Sequence, residues 1–384
     1  MAPLKTPIPS PAPGCKPQPR DVLTPEQQQK YDWLLSQARS WTDVPSTSGK
    51  NGPLTDSERF WLTRDCLLRY LRATKWHERD AEKRVLETLA WRRDYGVEEL
   101  TPEYISIENE TGKQIILGYD REGRVCHYLN PGRQNTDASP RQVQHLVYMV
   151  ERVIDLMPAG QETLALLINF KQSKTRSNTT PGMSLAREVL HILQHHYPER
   201  LGRALIINMP WFVTTFFKLI TPFIDPRTRE KLKFNEDMSQ YVPPEQMWNE
   251  FSTGMLEFEY EHAVYWPALH ELCRKRRQER WERWVKGGKV IGESEDFLAG
   301  GVDVSVNGVN VAASTEEKKA ETAAAEPEKK KTEEQKPAEK PAETPAPPPT
   351  ADAAPVDSAI AEKMAELKVE EVNAPQNAAT VPAN

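Results

Sequence analysis

The chain has 384 residues, 32 of them proline, and carries 50 Lys plus Arg against 56 Asp plus Glu, a net charge of −6. Residues 311–384 hold 9 Lys and 15 Asp plus Glu, also −6, so residues 1–310 balance at 41 against 41 and the acidity belongs to the tail. Four scattered cysteines, Cys15, Cys66, Cys126 and Cys273, exclude a zinc-finger spacing and a disulfide framework, and they point to a reducing compartment, the cytoplasm by default.

The N-terminus lacks the apolar core of a signal peptide, and no run approaches the roughly 20 apolar residues of a membrane span. Membrane contact is therefore expected to be peripheral. Residues 1–22 are proline-rich and read as an extended, mobile leader. Thr24-Pro25 then opens a docking helix with Tyr31, Leu34, Leu35 and Ala38 at helical spacing, so that 1–53 is a leader with one helix.

A helical lobe is expected over 54–98. Its first part carries Trp61, Leu62, Cys66, Leu67, Tyr70 and Leu71, and its second helix runs from about Glu78 to Asp94 and ends near Gly96. Two apolar segments, 115–120 and 124–129, flank Arg121-Glu-Gly123 as a hairpin in which Gly123 supplies a positive φ. Val143–Met157 reads as a helix, Leu164–Phe170 as a buried strand, Ser184–His196 as a helix and Ala204–Ile207 as a second buried strand. The alternation predicts an α/β domain over 99–250 with a mixed, largely parallel sheet, helices on one face and a cavity on the other.

The segment after Pro210 is the most informative. Phe212, Phe216, Leu219 and Phe223 share one helical stripe, and Trp211, Val213, Phe217, Ile220 and Ile224 surround the rest. A helix apolar all round must be buried, in a membrane, or alternating between the two. With Lys218 and Pro222 inside it, it is too interrupted to span a bilayer, and a movable lid over a greasy cavity fits.

Residues 251–291 read as a C-terminal helical extension. Within it, 274–286 carries seven basic residues, two acidic ones and two tryptophans, either an interfacial contact for anionic membrane or a solvated helix whose tryptophans pack back on the core. Beyond Gly292 the chain is rich in Ala, Glu, Lys and Pro, and 292–384 is expected to be a disordered charged tail.

Tyr197-Pro-Glu-Arg-Leu-Gly202, the strand 204–207, the apolar helix and Asp225-Pro-Arg-Thr-Arg-Glu-Lys231 together closely resemble the fungal phosphatidylinositol transfer proteins of the CRAL-TRIO family. Leu67-Leu-Arg-Tyr-Leu-Arg-Ala-Thr-Lys-Trp76 resembles the family's N-terminal lobe, while 131–136 and 154–160 look like the branch associated with pleiotropic (azole) drug resistance. The resemblance implies a CRAL-TRIO fold whose cavity is closed by a gate helix, a non-enzymatic lipid carrier, and phosphatidylinositol as partner. It places the headgroup on Glu199, Asp225, Thr228 and Lys231 with Arg200 beside them, and Lys75 stands in for a phosphate donor missing at Thr74. Trp211, Phe212, Phe216, Phe217, Ile220, Phe223 and Ile224 line the gate and cavity.

Where phosphatidylcholine-binding members carry hydroxyls, this chain has His127, Met149, Leu164 and Leu193. A buried phosphodiester without partners is costly, so the second lipid is expected to be more apolar, such as a sterol. Phosphatidylinositol kinases and transient membrane surfaces of the endoplasmic reticulum, lipid droplets or plasma membrane are the implied partners, with no nucleic acid. No cofactor is expected, and no G-x-S-x-G or phosphate-cradling glycine loop argues for catalysis. His191, His195 and His196 form a histidine cluster without the glutamate of a zinc-protease motif, so no metal is expected. The alternative function is a sterol-sensing regulator or scaffold without net transfer.

Overall fold

The computed structural model describes residues 2–171, 183–211, 214–215 and 226–312. Met1–Glu326 forms one compact unit, and the second unit, Pro327–Asn384, lies outside the described residues.

Four helices build the N-terminal lobe, and their ends follow from side-chain chemistry. In α1 (Pro25–Ser40) Thr24 accepts from the Gln27 amide while Gln27 returns a bond to Thr24, a reciprocal cap with Pro25 at the first helical position. Thr55 and Glu58 do the same for α2 (Asp56–Trp61), and Thr63 caps α3 (Arg64–Ala73). The fourth, α4 (Glu78–Tyr95), stops at Gly96, whose φ of +72° suits glycine. Tyr31, Leu34, Leu67, Leu71, Val85 and Leu89 bury one another between these helices.

After α5 (Pro102–Asn109), β1 (Gln114–Tyr119) and β2 (Val125–Leu129) form the expected antiparallel hairpin, with Gly123 at φ +71°. Then α6 (Pro140–Leu156) leads to β3 (Leu164–Asn169), α7 (Met183–His196) to β4 (Leu201–Ile207), and α8 (Pro226–Glu230) to β5 (Leu232–Phe234). The sheet order is β1-β2-β3-β4-β5, with β2 to β5 parallel. Tyr128, Leu167 and Leu205 lie side by side on one face and pack with Trp248 and Phe251. Leu129, Ile168 and Ile206 lie side by side on the other, where Ile168 and Ile206 cluster with Phe170.

Two expectations are corrected, those for the leader and for the start of the tail. The leader is extended but docked: Leu4 pairs with Phe258 as a bridge, Leu4 N–H donating to Glu257 O at 2.8 Å and Glu259 N–H to Leu4 O at 2.9 Å. Arg20 then bonds Asp65. The region 251–291 carries its expected helix, α9 (His262–Lys286), which inserts Tyr265, Trp266, Leu269 and Cys273 beneath the sheet. Its tryptophans pack back as one of the two readings held, Trp284 being buried, and Arg277 and Arg283 pair with Glu98 and Asp303. Finally, 292–312 is folded, with α10 (Glu295–Leu298) burying Phe297 and Leu298 against Trp284. The remainder of the expected tail lies outside the described residues.

Candidate functional site: a carboxylate and lysine at the sheet edge

The α7–β4 turn and the α8–β5 junction meet because β4 and β5 are parallel neighbours. Ala204 N–H donates to Lys231 O at 2.9 Å, which sets the start of β5 beside the middle of β4. Glu199, in the turn before β4, and Lys231, just before β5, are thereby brought together, with Glu199 Oε2 3.8 Å from Lys231 Nζ. Both side chains are about one-quarter exposed, so a solute reaching the edge meets a charged pair and not a sealed bridge. Thr228 lies one turn before Lys231, whose N–H donates to Thr228 O at 3.1 Å. Glu199 holds a φ of +57°, a left-handed conformation that costs a residue with a Cβ about 1–2 kcal/mol.

That left-handed turn also separates Glu199 from its neighbour. Arg200 does not join the pair. It is buried and donates to Glu162 O at 3.0 Å, to Met157 Sδ at 3.7 Å and to Glu295 Oε1 at 3.5 Å. Burial, followed by the nearby Arg69, lowers its pKa. Lys75 is exposed in its own left-handed turn at φ +54° after α3, and Thr74 is turned back on Tyr70 O. Asp225 lies outside the described residues.

One residue that the sequence reading missed is Arg84. It donates from Nε to His195 O at 3.0 Å at the end of α7, and the Glu199 carboxylate acts on it electrostatically. Position 84 shows nothing locally beyond a charged face of α4, so only the packing of α4 on α7 reveals it.

Of the residues expected to form a gate, Trp211 is described and is 80% exposed, and Thr215 Oγ1 donates to Trp211 O at 3.2 Å. Phe212, Phe216, Phe217, Ile220, Phe223 and Ile224 lie outside the described residues. Just after β4, Asn208 sits at φ +55° and donates to Asn169 Oδ1 at 2.9 Å, tying the ends of β4 and β3 together. Asparagine tolerates that conformation better than most residues.

Of the four residues expected at a second-lipid pocket, three divide between two clusters. Met149 and Leu164 lie in the main core, whereas Leu193 packs from α7 onto Val147 and Val150 of α6. His127, in the row of Leu166 and Ala204, is buried and bonds Gln114 Oε1 at 3.0 Å, and Gln114 Nε2 in turn meets His145 Nδ1 at 3.2 Å. Burial pushes the His127 pKa down to about 3, so the ring is neutral.

The histidine cluster of α7 is spent on packing: His196 stacks on Trp91 at 4.1 Å, and His195 Nε2 meets Glu87 at 3.1 Å. Among the described residues no group of three or more His, Cys, Asp or Glu could hold a metal ion, and no helix is long and apolar enough to cross a membrane.

A helical lobe ahead of an α/β layer with a mixed sheet is the CRAL-TRIO architecture, and two family models match in that order: the CRAL/TRIO N-terminal domain over residues 30–87 and the CRAL/TRIO domain over residues 109–252. The chain belongs to the CRAL/TRIO family of lipid-binding proteins.

A CRAL-TRIO domain-containing protein of Schizosaccharomyces pombe is 55% identical over 298 residues, 77% of this chain but 29% of that protein. The phosphatidylinositol transfer protein PDR17 of Saccharomyces cerevisiae is 42% identical over 259 residues, 65% of this chain and 74% of that protein. The SEC14 cytosolic factor of Candida glabrata is 26% identical over 207 residues, 48% of this chain and 68% of that protein. The chain thus spans less than a third of its fission yeast relative.

Proposed function

We propose that this chain is a non-enzymatic carrier that takes phosphatidylinositol from a membrane, shields its acyl chains and releases or presents it elsewhere. The observation that carries this reading is the Glu199–Lys231 pair, two oppositely charged groups held 3.8 Å apart at an accessible sheet edge. An inositol phosphate needs both a cation for its phosphate and an acceptor for its hydroxyls. Lys231 supplies the first, with the Thr228 hydroxyl as a neutral donor beside it, and Glu199 supplies the second. Asp225 and Lys75 complete the headgroup set, while Arg200 contributes from beneath through the turn it anchors. The identity to a phosphatidylinositol transfer protein supports the same ligand.

The segment opened by the exposed Trp211 acts as the gate that meets the bilayer, since an indole favours the membrane interface. The lipid exchanged against phosphatidylinositol is more apolar than phosphatidylcholine, a sterol being the chemistry that fits, because Met149, Leu164 and Leu193 offer no hydroxyl to a phosphodiester and His127 is committed to Gln114. An influence on azole tolerance would follow from sterol exchange. The site of action is the cytoplasm and the membrane surfaces facing it.

Mass spectrometry of lipids extracted from the purified chain tests the reading, together with transfer between donor and acceptor vesicles. Glu199→Ala combined with Lys231→Ala should abolish phosphatidylinositol loading and leave the second lipid bound. Equal loss of both lipids would show that the headgroup is gripped elsewhere.

A further inference from the structure

A cavity of about 90 Å³ lies away from the sheet edge, where α2, α6, α9 and α10 meet. That is room for several waters or for one tetrahedral oxyanion. Four guanidinium groups line it, Arg92, Arg200, Arg277 and Arg280, together with Glu98, Glu151, Asp155 and Glu295.

Equal numbers conceal an imbalance. Glu151 is held by Arg92 at 2.7 Å and by the Tyr197 hydroxyl at 2.6 Å, and Asp155 is held by Arg152 at 2.8 Å. Glu295 is bidentate to Arg69, a residue outside the lining. Glu98 is shared by Arg92 and Arg277 at 2.7 Å each. Each carboxylate is therefore already answered.

Two of the cations are not. Arg280 makes no ion pair among the described residues. It donates to Ile154 O at 2.8 Å and to Met157 O, neutral carbonyls that orient a guanidinium without cancelling its charge. Arg200, more than nine-tenths buried, reaches a carboxylate only at 3.5 Å, because Arg69 holds that carboxylate more closely. Both converge on Met157, Arg280 on its carbonyl and Arg200 on its sulfur.

We propose that this cavity binds a free phosphate-sized dianion between Arg280 and Arg200, with Arg277 at the mouth. A guanidinium has five N–H donors, and the bonds described occupy two at Arg280 and three at Arg200, so both retain donors for an oxyanion. Burial lowers the pKa of each group although Asp155 and Glu295 act on Arg280, and Glu295 and Glu162 on Arg200, in the opposite sense, and a bound dianion would add counter-charge. The cavity is too small for a diacyl lipid, so the ligand is inorganic phosphate or the phosphate of a small soluble ester. The occupant would bridge the N-terminal lobe to the C-terminal segment 292–312.

The test uses the full chain titrated with inorganic phosphate at constant ionic strength, sodium chloride serving as the control. Calorimetry and the thermal midpoint are the readouts. Saturable binding and a raised midpoint are expected, with affinity at least tenfold weaker in Arg277→Gln and in Arg280→Gln. Arg280 also closes the end of α6, so if its variant unfolds, Arg277→Gln decides alone. Lys231→Ala separates the two phosphate sites: binding kept there and weakened in Arg277→Gln supports the cavity. Binding lost in Lys231→Ala and kept in Arg277→Gln assigns the phosphate to the sheet edge and overturns the proposal, as does a response no greater than chloride gives.

Discussion

Arg69 of α3 and Glu295 of α10, 226 residues apart, form a two-pronged ion pair, Nη1 to Oε2 at 3.0 Å and Nη2 to Oε1 at 2.6 Å. Thr63 Oγ1 adds a bond to the same carboxylate at 3.0 Å, and Asp65 accepts from the Glu295 amide at 2.7 Å. The C-terminal segment is therefore bolted into the N-terminal lobe, and where the chain is cut becomes decisive.

Truncation after Ala312 should leave the thermal midpoint unchanged, because it keeps Glu295, Phe297 and the contacts they make with the lobe and α9. Truncation after Ile291 removes Glu295 and the buried Phe297, leaving Arg69 buried without its main carboxylate. Breaking a buried pair and losing a buried Phe each cost about 3–5 kcal/mol. The shorter chain should be destabilised by several kcal/mol or fail to fold, as denaturant titration would show, and equal stability of the two truncations would refute the bolt.

Acid should weaken the fold through its buried histidines. Burial lowers the pKa of His127 to about 3, of His196 to about 3, of His270 to about 4, and of His145 well below its ordinary value. An unfolded chain takes up these protons below about pH 6.5, whereas the folded chain does not, so stability falls as pH falls from 6.5 toward 4. Each ring contributes up to about 1.4 kcal/mol per pH unit in that window. Glu151, which burial alone would raise but which Arg92 and Tyr197 hold near 2, keeps its charge throughout. Urea midpoints at pH 7.5, 6.0 and 5.0 should decline steeply below 6.5, and a flat profile would mean these rings are protonated in the folded state.

Gly118 stands at φ +69° beside an irregularity in the β1–β2 pairing, and a Cβ there would press on the Gln246 carbonyl oxygen. Neither problem is relieved by moving a flexible side chain. The neighbouring Tyr119 amide also donates to Gln246 Oε1 at 3.0 Å, so shifting residue 246 breaks a buried bond. Gly118→Ala should cost about 2–4 kcal/mol from strain and overpacking together, read as a lowered denaturation midpoint with an unchanged slope.

Local chemistry was legible from sequence where one short stretch suffices. Thr24 with Pro25, Gly96, Gly123 and the apolar runs at 164 and 204 each announce an element through a cap, a turn or a period, and each element is present. Partners far apart were not legible. Leu4 docks on Phe258, and nothing in a proline-rich leader marks one leucine as a strand partner. Residues 292–312 lack periodicity because they fold as turns around Phe297 and Glu293, the latter bonded by Ser305 Oγ at 2.5 Å. At the site, adjacency misleads: Glu199 and Arg200 are neighbours in sequence, yet the left-handed turn sends one to the sheet edge and the other into the interior.

The same turn allows structure and function to be separated at Glu199. A glutamate at φ +57° carries about 1–2 kcal/mol of strain, which glycine escapes at an unfolded-state entropy cost of about 0.4–1 kcal/mol. The pair with Lys231, about one-quarter exposed at 3.8 Å, returns no more than about 1 kcal/mol. Glu199→Gly should therefore match or modestly exceed the parent in thermal stability, whereas Glu199→Ala keeps the strain, loses the pair and should fall below it. Both should lose phosphatidylinositol loading together, because both remove the acceptor for the inositol hydroxyls. That combination, a glycine variant as stable as the parent but empty of phosphatidylinositol, would show that the carboxylate is kept at 199 for the ligand and against the preference of the backbone. If the glycine variant unfolds more readily than the alanine one, the pair with Lys231 is structural, and the headgroup role of Glu199 loses its physical basis.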